Sequence, residues 1–343
     1  MTSRYPSEGL WVSIVIPVFQ VEDYIDTCLA SVAAQTYRRF EVIVVDDCGT
    51  DRSVEKAQAF IDAHPELTVR LLHHTYNRGL SAARNTGMAD ARGDYVYFLD
   101  SDDSLPPEAL DRLTAPLRGQ DFDFVIGDYE TVEGASMLRM PAGPSTDVLP
   151  KYAAGAWSVM AWNKLCNLRF LKENSLFFFE GLNHEDVIWS FQLACKARSM
   201  YVVGETTYRY TVRGASIMTG MSVRKDAELY VRVFDEIRRF IVDEGRTEGR
   251  SEYAVFEGKR CGVMYSLLWR GDTELFKELY PQFRRQCYLK PFRAFRLGII
   301  GFGGLLRDLH YALPARWGAC YKQLFFLAVY RLLRRSLRGV IWK

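Results

Sequence analysis

The chain has 343 residues, 48% of them hydrophobic and 25% charged, with a formal net charge of +2. This is the composition of an ordinary globular protein, long enough for one large domain and a smaller one. The start of the sequence has no apolar segment of the signal-peptide type, and no apolar run is long enough to span a membrane. Seven dispersed cysteines without paired spacing predict reduced, cytoplasmic thiols, and no CxxC or His-rich cluster suggests zinc.

Residues 11–127 alternate apolar runs with helical patterns. Such an alternation indicates βαβ units and therefore an α/β fold with a largely parallel, doubly wound sheet. Thr50 or Asp51 is expected to cap the second helix. The predicted strands cover 12–17, 41–45, 69–73, 95–99 and 122–126, and the predicted helices cover 23–35, about 51–63 and 80–91.

The second half of the chain becomes increasingly helical. Residues 130–156 are rich in Gly, Pro and Ser, which predicts a loop or an insertion. Two helices and two short strands are expected next, over 168–172, 185–197, 200–203 and 207–212. Beyond Ser222 the pattern predicts helices over 224–243, 253–269 and 273–286.

Three carboxylates follow the apolar strand 95–99 directly: Asp100, Asp102 and Asp103. Acids at the end of a buried strand are costly unless solvent or a cation neutralises them. Asp100 and Asp102 are two residues apart, so they project to one side of an extended chain, as ligands of a hard divalent cation would. The alternative is a capped loop before a helix that starts at Pro106, and the cluster alone does not decide between the two.

A second acidic pair, Asp46 and Asp47, ends another predicted strand. Parallel sheets bind ligands outside the carboxyl ends of their strands, so two acidic strand ends favour a binding site at this edge. Pro17-Val18-Phe19-Gln20, after the first strand, lacks the glycines of a dinucleotide-binding fingerprint, and the chain has no phosphate-loop lysine motif.

Taken together, the motifs of residues 12–216 resemble the family-2 glycosyltransferases, which have the GT-A type of Rossmann-like fold. The resemblance implies a catalytic domain over residues 1–218, with a nucleotide-sugar half over about 10–128 and an acceptor half over about 150–218. A helical region would then cover 219–343. Gln20 replaces the family's usual Asn, and Cys48 its usual Gly. The matching motifs are VSIVIPVF (12–19), VIVVDDCGTD (42–51), NRGLSAARN (77–85), LDSDD (99–103), WNK (162–164) and HED (184–186).

The resemblance also implies roles on the nucleotide side. Phe19 would stack on uracil, Asp47 would accept a hydrogen bond from the base, and Asp46 would support the ribose side. Core packing is the alternative for Phe19, and capping of the next helix is the alternative for the acids. The nucleotide-sugar set is Pro17, Phe19, Asp46, Asp47, Arg84, Asp100, Ser101 and Asp102.

The acid cluster would hold Mn²⁺ or Mg²⁺ by the same resemblance. Asp102 is the expected direct ligand, Asp100 would face the ribose, and Asp103 would complete the shell. The cation would neutralise the leaving nucleoside diphosphate. Arg84 would point toward the diphosphate or toward the acids, with an incidental surface ion pair as its alternative.

The catalytic residues implied by the resemblance lie in the HED motif. Asp186 matches the family's base, and Glu185 and His184 are neighbours that could bind donor or acceptor. Taken alone, these are simply acids at the start of a helix. Trp162 and Lys164 are expected to line the acceptor side, and Arg213 to close over the donor phosphates.

Residues 284–343 carry 13 Lys and Arg against one acid, Asp308, which gives this segment +12 and leaves −10 for the rest of the chain. Basic tails contact nucleic acid or anionic membrane, and no nucleic-acid-binding module accompanies this one. A basic amphipathic helix over residues 321–343 is predicted at the lipid interface, with packing on the protein's own body as the alternative. Its basic face would comprise Arg331, Arg334, Arg335 and Arg338, and Trp342 would lie at headgroup depth.

The sequence therefore predicts an inverting, metal-dependent hexosyl- or N-acetylhexosaminyltransferase. A nucleotide-sugar, expected to be a UDP-sugar, would donate to a glycan acceptor in envelope or exopolysaccharide synthesis, and a lipid-linked glycan is one candidate acceptor. The protein would be cytoplasmic and peripheral at the inner face of the cell membrane. The alternatives are a nucleotidyltransferase that makes nucleotide-sugars and a catalytically silent scaffold recruited through the tail.

Overall fold

A computed structural model of the chain describes residues 10–131, 141–212 and 221–333, with side chains up to residue 329. The chain divides into two compact units, Met1–Ser216 and Ile217–Lys343. The domain boundary expected after residue 218 stays a prediction.

The first unit is a mixed α/β structure. Its eight described strands are β1 Val12–Val18, β2 Phe40–Asp46, β3 Thr68–His73, β4 Tyr95–Phe98, β5 Phe124–Thr131, β6 Gly143–Ser145, β7 Lys164–Asn167 and β8 Met200–Tyr210. The helices described between them are α1 Ile25–Ala33, α2 Ser53–Ala63, α3 Leu80–Asp90, α4 Ala109–Thr114, α5 Val148–Ala153, α6 Leu168–Glu173 and α7 Glu185–Lys196.

The strands form one sheet in the order β3-β2-β1-β4-β7-β5-β8-β6. The pairs β1–β2, β2–β3, β1–β4 and β5–β8 are parallel, whereas β7 is antiparallel to both of its neighbours and β6 is antiparallel to β8. Strands β1, β2 and β4 are buried along their whole length, because helices cover both faces of a parallel sheet. The predicted α/β class with a mostly parallel sheet is confirmed.

Three predictions of local structure are wrong, and strand β7 was not predicted. The segment 130–156 contains β6 and α5, so it is not a loop throughout, and the alternative of an insertion is left standing. The two short strands expected over 200–212 are one strand, β8. The cap position of α2 belongs to Arg52, with no side-chain capping bond, rather than to Thr50 or Asp51. Asp51 nevertheless accepts hydrogen bonds from the Ser53 and Glu22 amides.

The second unit is helical. Its described helices are α8 Val223–Asp243, α9 Arg250–Trp269, α10 Thr273–Arg285, α11 Pro291–Arg296, α12 Phe302–Asp308 and α13 Ala315–Leu333. Its interior contains paired charges: Arg260 binds the Glu257 carboxylate at 2.6 Å, and Arg307 binds Asp308 at 2.7 Å. Such buried charges require partners, since burial penalises an unpaired charge.

None of the helices in the described parts of the chain has the length and apolarity needed to cross a lipid bilayer. All seven cysteines fall within the described residues, and none forms a disulfide there. The last ten residues of the predicted basic tail, 334–343, lie outside the described residues.

Candidate functional site

The carboxyl ends of β1, β2 and β4 meet at one edge of the sheet. In the parallel register, Val18 of β1 pairs with Asp46 of β2, and Val15 of β1 pairs with Phe98 of β4. Phe19, Asp46 and Asp100 therefore follow or end three adjacent strands at that edge. Such an edge is where open α/β sheets bind ligands.

Phe19 leaves β1 with 44% of its surface exposed, so the core-packing alternative is wrong for this ring. Pro17 is buried within β1 and pairs with Val45 of β2. The pairing of β1 with β4 ends at Val15, so Pro17, which has no N–H, lies beyond the end of that ladder.

The two residues that depart from the family pattern both have a left-handed backbone. Gln20 has φ 54° and Cys48 has φ 62°. Asn and Gly are the residues that adopt this conformation most readily, which explains physically why they are usual at these positions. The Gln20 amide also donates to Thr50 Oγ1 at 2.9 Å, linking the loops that follow β1 and β2.

Asp47 is buried and organises the loop before α3. Its two oxygens accept hydrogen bonds from the Arg78 and Gly79 amides at 2.8 Å, and His74 Nδ1 lies 2.7 Å from Oδ1. Asp46 accepts from the Gly49 amide and lies 3.0 Å from His73 Nδ1. Neither acid caps α2, so that alternative is wrong.

The carboxylates of Asp100, Asp102 and Asp103 offer oxygen atoms that all lie within 4.8 Å of one another. Asp103 is buried, and its oxygens accept hydrogen bonds from Tyr208 Oη at 2.6 Å and the Thr211 amide at 2.7 Å. Burial, and then the charges of Asp102 and Asp100, raise the pKa of Asp103 to about 8. The capped-loop alternative is wrong, because α4 begins after Glu108 with no side-chain cap.

This donor set fits a divalent cation. Three clustered carboxylates supply the hard oxygen ligands that Mg²⁺ and Mn²⁺ prefer. Burial, and then the charges of the neighbouring carboxylates, raise the pKa of Asp103, and a bound cation would favour its deprotonated form. Ser101 lies buried in the turn that carries these acids.

Arg84 joins the acid cluster to the start of α7. Its guanidinium donates to Asp100 Oδ1 at 2.7 Å and to Glu185 Oε1 at 2.8 Å, and it lies over the Phe178 ring. Burial alone would lower the pKa of Arg84, but the two carboxylates raise it, so the side chain stays charged. The alternative of an incidental surface pair is wrong, because this arginine is buried.

The HED motif forms the first turn of α7. His184 occupies the cap position with φ 63°, and Glu185 and Asp186 follow as the first helical residues. Burial, and then the charge of Glu185, raise the pKa of Asp186 to about 6, while Arg84 opposes the shift. The structure thus brings together Asp100, Asp102, Asp103, Arg84, Glu185 and Asp186.

The residues expected on the acceptor side lie inside the unit. The Trp162 ring is buried and stacks on Tyr208 with centroids 4.3 Å apart. Lys164 is buried, donates to the Met160 carbonyl and lies over the Trp157 ring. Burial lowers the pKa of Lys164 to about 8. Arg213 lies outside the described residues, and acceptor contact by any of these residues stays a prediction.

Tyr208 and Thr211 are contacts of the acid cluster that sequence reasoning missed. Tyr208 Oη donates to Asp103 and accepts from the Asp100 amide at 3.3 Å. The aromatic residues Tyr208 and Tyr210 alternate along β8, a pattern that indicates a half-buried strand. Nothing local indicated that this strand lies beside residues a hundred positions earlier.

Comparison with known proteins adds an independent finding. The Glycosyl transferase family 2 model matches residues 13–173. The chain is 30% identical over 218 residues to the uncharacterized glycosyltransferase YibD of Escherichia coli K12, covering 60% of this chain and 62% of YibD. It is also 30% identical to an uncharacterized glycosyltransferase of Haemophilus influenzae, covering 54% of this chain and 71% of that protein.

A third relative has a more specific name. The chain is 32% identical over 133 residues to the Escherichia coli UDP-Glc:alpha-D-GlcNAc-diphosphoundecaprenol beta-1,3-glucosyltransferase WfgD, covering 39% of this chain and 51% of WfgD. The matches thus cover 51% to 71% of the length of these relatives.

Solved structures show the same fold. Residues 1–349 of Staphylococcus aureus TarS in complex with UDP-GlcNAc superpose with a TM-score of 0.72 at 18% identity, covering 96% of this chain and 93% of that one. The Pyrobaculum calidifontis mannosyltransferase PcManGT with GDP-Man and Mn²⁺ superposes with a TM-score of 0.54 at 16% identity, covering 96% and 89%. With the sheet, the ordered motifs and these relatives in agreement, the chain belongs to glycosyl transferase family 2.

Proposed function

We propose that the protein is an inverting, metal-dependent glycosyltransferase that moves a sugar from a UDP-sugar to a glycan acceptor in cell-envelope polysaccharide synthesis. The observation that carries the proposal is the bridge of Arg84 between Asp100 and Glu185. This bridge holds the acids of a diphosphate site and the helix that bears a candidate base in one arrangement. A site that only bound a nucleotide would need no base on α7.

The donor would lie along the carboxyl ends of β1, β2 and β4. Phe19, exposed after β1, would stack on the base, and Asp46 and Asp47 would shape the pocket through the loops they hold. Support for a uridine donor comes from the UDP-GlcNAc complex of TarS and from the name of WfgD. Hexosyl or N-acetylhexosaminyl transfer is consistent with both.

Asp102 and Asp100 would hold Mn²⁺ or Mg²⁺, with Asp103 completing the shell. When bound, the cation offsets the negative charge that develops on the departing diphosphate. The Mn²⁺ complex of PcManGT supports this assignment by analogy of fold. In this chain, Arg84 orients Asp100, and Tyr208 orients Asp103.

Asp186 would act as the general base. The acceptor oxygen bonds to the anomeric carbon while the bond from that carbon to the diphosphate oxygen breaks, and the hydroxyl proton passes to the Asp186 carboxylate. A pKa of about 6 suits this role, since the group is deprotonated near neutrality yet basic enough to accept a proton. Glu185, already bound to Arg84, would hold the helix start in place.

The acceptor would approach α7, where His184, at the cap position, is a predicted contact. Trp162, Lys164 and Arg213 remain predicted contributors on the acceptor or phosphate side. The diphosphoundecaprenol acceptor in the name of WfgD supports a lipid-linked glycan, and hence a peripheral location at the inner face of the membrane, reached through the basic C-terminal tail of about 284–343.

A donor screen tests the proposal. Purified full-length protein is given a panel of nucleotide-sugars with Mn²⁺, and nucleoside diphosphate release is measured with and without glycan acceptors. We expect one UDP-sugar to be turned over, and chelation by EDTA to stop the reaction. Release of pyrophosphate from a nucleoside triphosphate, or UDP binding without turnover on any acceptor, would contradict the proposal.

Two variants separate the roles of the acids. Asp102→Ala should lose Mn²⁺-dependent UDP binding and transfer, because it removes a cation ligand. Asp186→Asn should keep Mn²⁺-dependent UDP binding and lose transfer by about 100-fold or more, because only the base is removed. Asp121→Ala, at an exposed acid in the loop before β5, is the matched control and should retain full activity.

A further inference from the structure

We propose that the exposed apolar faces of α11, α12 and α13 form a docking surface for an anionic lipid bilayer. The inference deepens the peripheral membrane location proposed above and assigns the lipid contact to side chains in the described part of the second unit. It does not depend on residues 334–343.

Helix α13 exposes apolar side chains to solvent. Trp317, Leu324 and Leu327 are 69%, 67% and 45% exposed, and Cys320 and Ala328 are exposed as well. Their spacing of three, four and seven residues places them on one helical face. A surface helix normally presents charged residues to water and apolar residues to the core.

The charged residue of this helical stretch points the other way. Lys322 is the one charged residue between Trp317 and Val329, and it is buried with its ammonium 3.2 Å from Cys261 Sγ. Burial of Lys322 costs free energy that a solvent-exposed position would not. The helix therefore contains a charged residue that could face water, but its orientation buries this residue and exposes the apolar face.

The same surface continues onto the two preceding helices. Phe292 and Phe295 of α11, and Phe302 and Leu306 of α12, are exposed. Helix α11 packs against α12, and Tyr321 Oη of α13 donates to the Leu306 carbonyl at 2.8 Å. The three helices are thus neighbours in the second unit, and each of them carries exposed apolar side chains.

This concentration of apolar residues is unusual for a surface that stays in water. Eight of the fifteen large hydrophobic side chains that are exposed among the described residues lie between Phe292 and Leu327. Scattered exposed hydrophobic residues are normal, whereas a cluster of this kind marks an interaction site.

The charges around the cluster identify the partner. Lys290, Arg296 and Arg316 are exposed beside the apolar residues, and the exposed Arg293 pairs with Glu248. The single acid between residues 284 and 343, Asp308, is buried and paired with Arg307. A second copy of the chain would bring like charges together. A bilayer with anionic headgroups supplies both the negative charge and an apolar layer for Phe, Trp and Leu side chains.

Vesicle sedimentation tests the inference. Full-length protein is mixed with vesicles of phosphatidylcholine alone or with 30 mol% phosphatidylglycerol, a composition of about physiological charge. We expect binding to the anionic vesicles and at least about tenfold weaker binding to the neutral ones. The triple variant Trp317→Ser/Leu324→Ser/Leu327→Ser should bind anionic vesicles at least about tenfold more weakly than the unsubstituted protein.

The matched control is Val242→Ser/Trp269→Ser, which removes exposed apolar side chains of α8 and α9 outside the cluster. This control should bind vesicles as the unsubstituted protein does, and both variants should keep its melting temperature. Unchanged vesicle binding by the triple variant would overturn the inference, as would absence of vesicle binding by the unsubstituted protein. Self-association abolished by the triple variant, without vesicle binding, would identify a second copy as the partner instead.

A wrong docking surface can be distinguished experimentally from a wrong proposed function. Turnover of a UDP-sugar with water or a soluble acceptor reports on the first unit alone and should be the same in the triple variant. Loss of vesicle binding with intact soluble turnover supports the docking surface. Intact vesicle binding in that variant refutes the docking surface while leaving the glycosyltransferase proposal standing.

Discussion

Arg84 Nη2 donates a hydrogen bond to Asp100 Oδ1 at 2.7 Å, and this contact ties α3 to the end of β4. The other terminal nitrogen of the same guanidinium reaches Glu185 at 2.8 Å. A planar fork suits two carboxylates at once, because its nitrogens point in fixed directions. The distance between the acid cluster and α7 therefore depends on the Arg84 side chain.

Arg84→Lys should therefore reduce turnover even though it keeps the positive charge. A lysine carries one ammonium on a shorter reach and cannot hold both carboxylates in the same geometry. We expect kcat to fall by about tenfold to 100-fold. Urea titration should show that the free energy of unfolding falls by about 1–3 kcal/mol, which is part of the cost of breaking a buried ion pair.

Arg169→Lys is the control for the arginine substitution, since Arg169 forms an exposed pair with Glu173. Its effect on stability should be within about 0.5 kcal/mol, and kcat should not change. Wild-type kcat in Arg84→Lys would refute the positioning role of the bridge.

The pH dependence of kcat/KM should show an acid limb near pH 6. Asp186 has its pKa raised to about 6, so below that pH it becomes protonated and can no longer accept the acceptor's proton. Activity should fall about tenfold per pH unit below the limb. Measurements at saturating Mn²⁺ keep cation binding from adding its own pH dependence.

Asp186→Asn supplies the check on this assignment. Its residual activity should lack the limb near pH 6, because the titrating group has been removed. A limb of the same position and slope in the variant would assign the titration to another group.

Tyr208→Phe should raise the Mn²⁺ concentration required for half-maximal activity. The Tyr208 hydroxyl donates to Asp103 and lowers the pKa of that acid, so its removal moves the pKa further above about 8 and leaves more of the acid protonated at neutral pH. Loss of an outer contact to a metal site typically weakens metal affinity by about 10-fold or more. Titration of activity with Mn²⁺ at pH 7 measures the change.

Tyr201→Phe is the matched control on the same strand, since Tyr201 lies against Phe122 rather than against the acids. It should leave the Mn²⁺ requirement unchanged. Raising the pH to 9 should restore part of the Tyr208→Phe loss, because Asp103 then ionises. An equal Mn²⁺ requirement in wild type and Tyr208→Phe would contradict the assigned contact.

Cys48→Gly should stabilise the protein. Cys48 has φ 62°, a conformation that costs a residue with a Cβ about 1–2 kcal/mol, whereas glycine adopts it freely. Part of the gain is cancelled by the greater freedom of glycine in the unfolded chain, so we expect a net increase of about 0.5–1 kcal/mol in the free energy of unfolding.

Cys48→Ser tests the cause, because serine keeps the Cβ while removing the thiol. We expect no increase in stability for the serine variant in the same urea titration. Equal stabilisation by serine and glycine would show that loss of the thiol, rather than relief of the backbone, is responsible.

Much of the first half of the fold could be predicted from local patterns. The predicted strands 41–45 and 69–73 lie within the observed strands β2 and β3. For β2 the reason is its buried apolar run, which is typical of a central parallel strand. Strand β3 is a partly exposed edge strand, and its Val69, Leu71 and Leu72 were the signal for it. The missed strand β7 is short and contains Lys164, a residue seldom fully buried. Its ammonium is satisfied by the Met160 carbonyl, a contact that no periodicity reveals.

The errors around β6 and β8 have a related cause. Gly143-Pro144-Ser145 has no strand-forming pattern and becomes a strand because it pairs with β8. The exposed Gly204 and Glu205 interrupt the apolar pattern of β8, which continues because β5 pairs with it through an irregular register. Pairing across the sheet overrides local preference in both segments.

The sequence by itself determined the fold class, the family and the acids at the strand ends, because each depends on short segments whose pattern is complete in itself. The tertiary structure alone decided what those acids contact: Asp47 with the loop before α3, Asp103 with Tyr208, and Arg84 between Asp100 and Glu185. It also decided that α13 turns its apolar face outward. These contacts join residues up to 105 positions apart, and their geometry depends on how the elements pack.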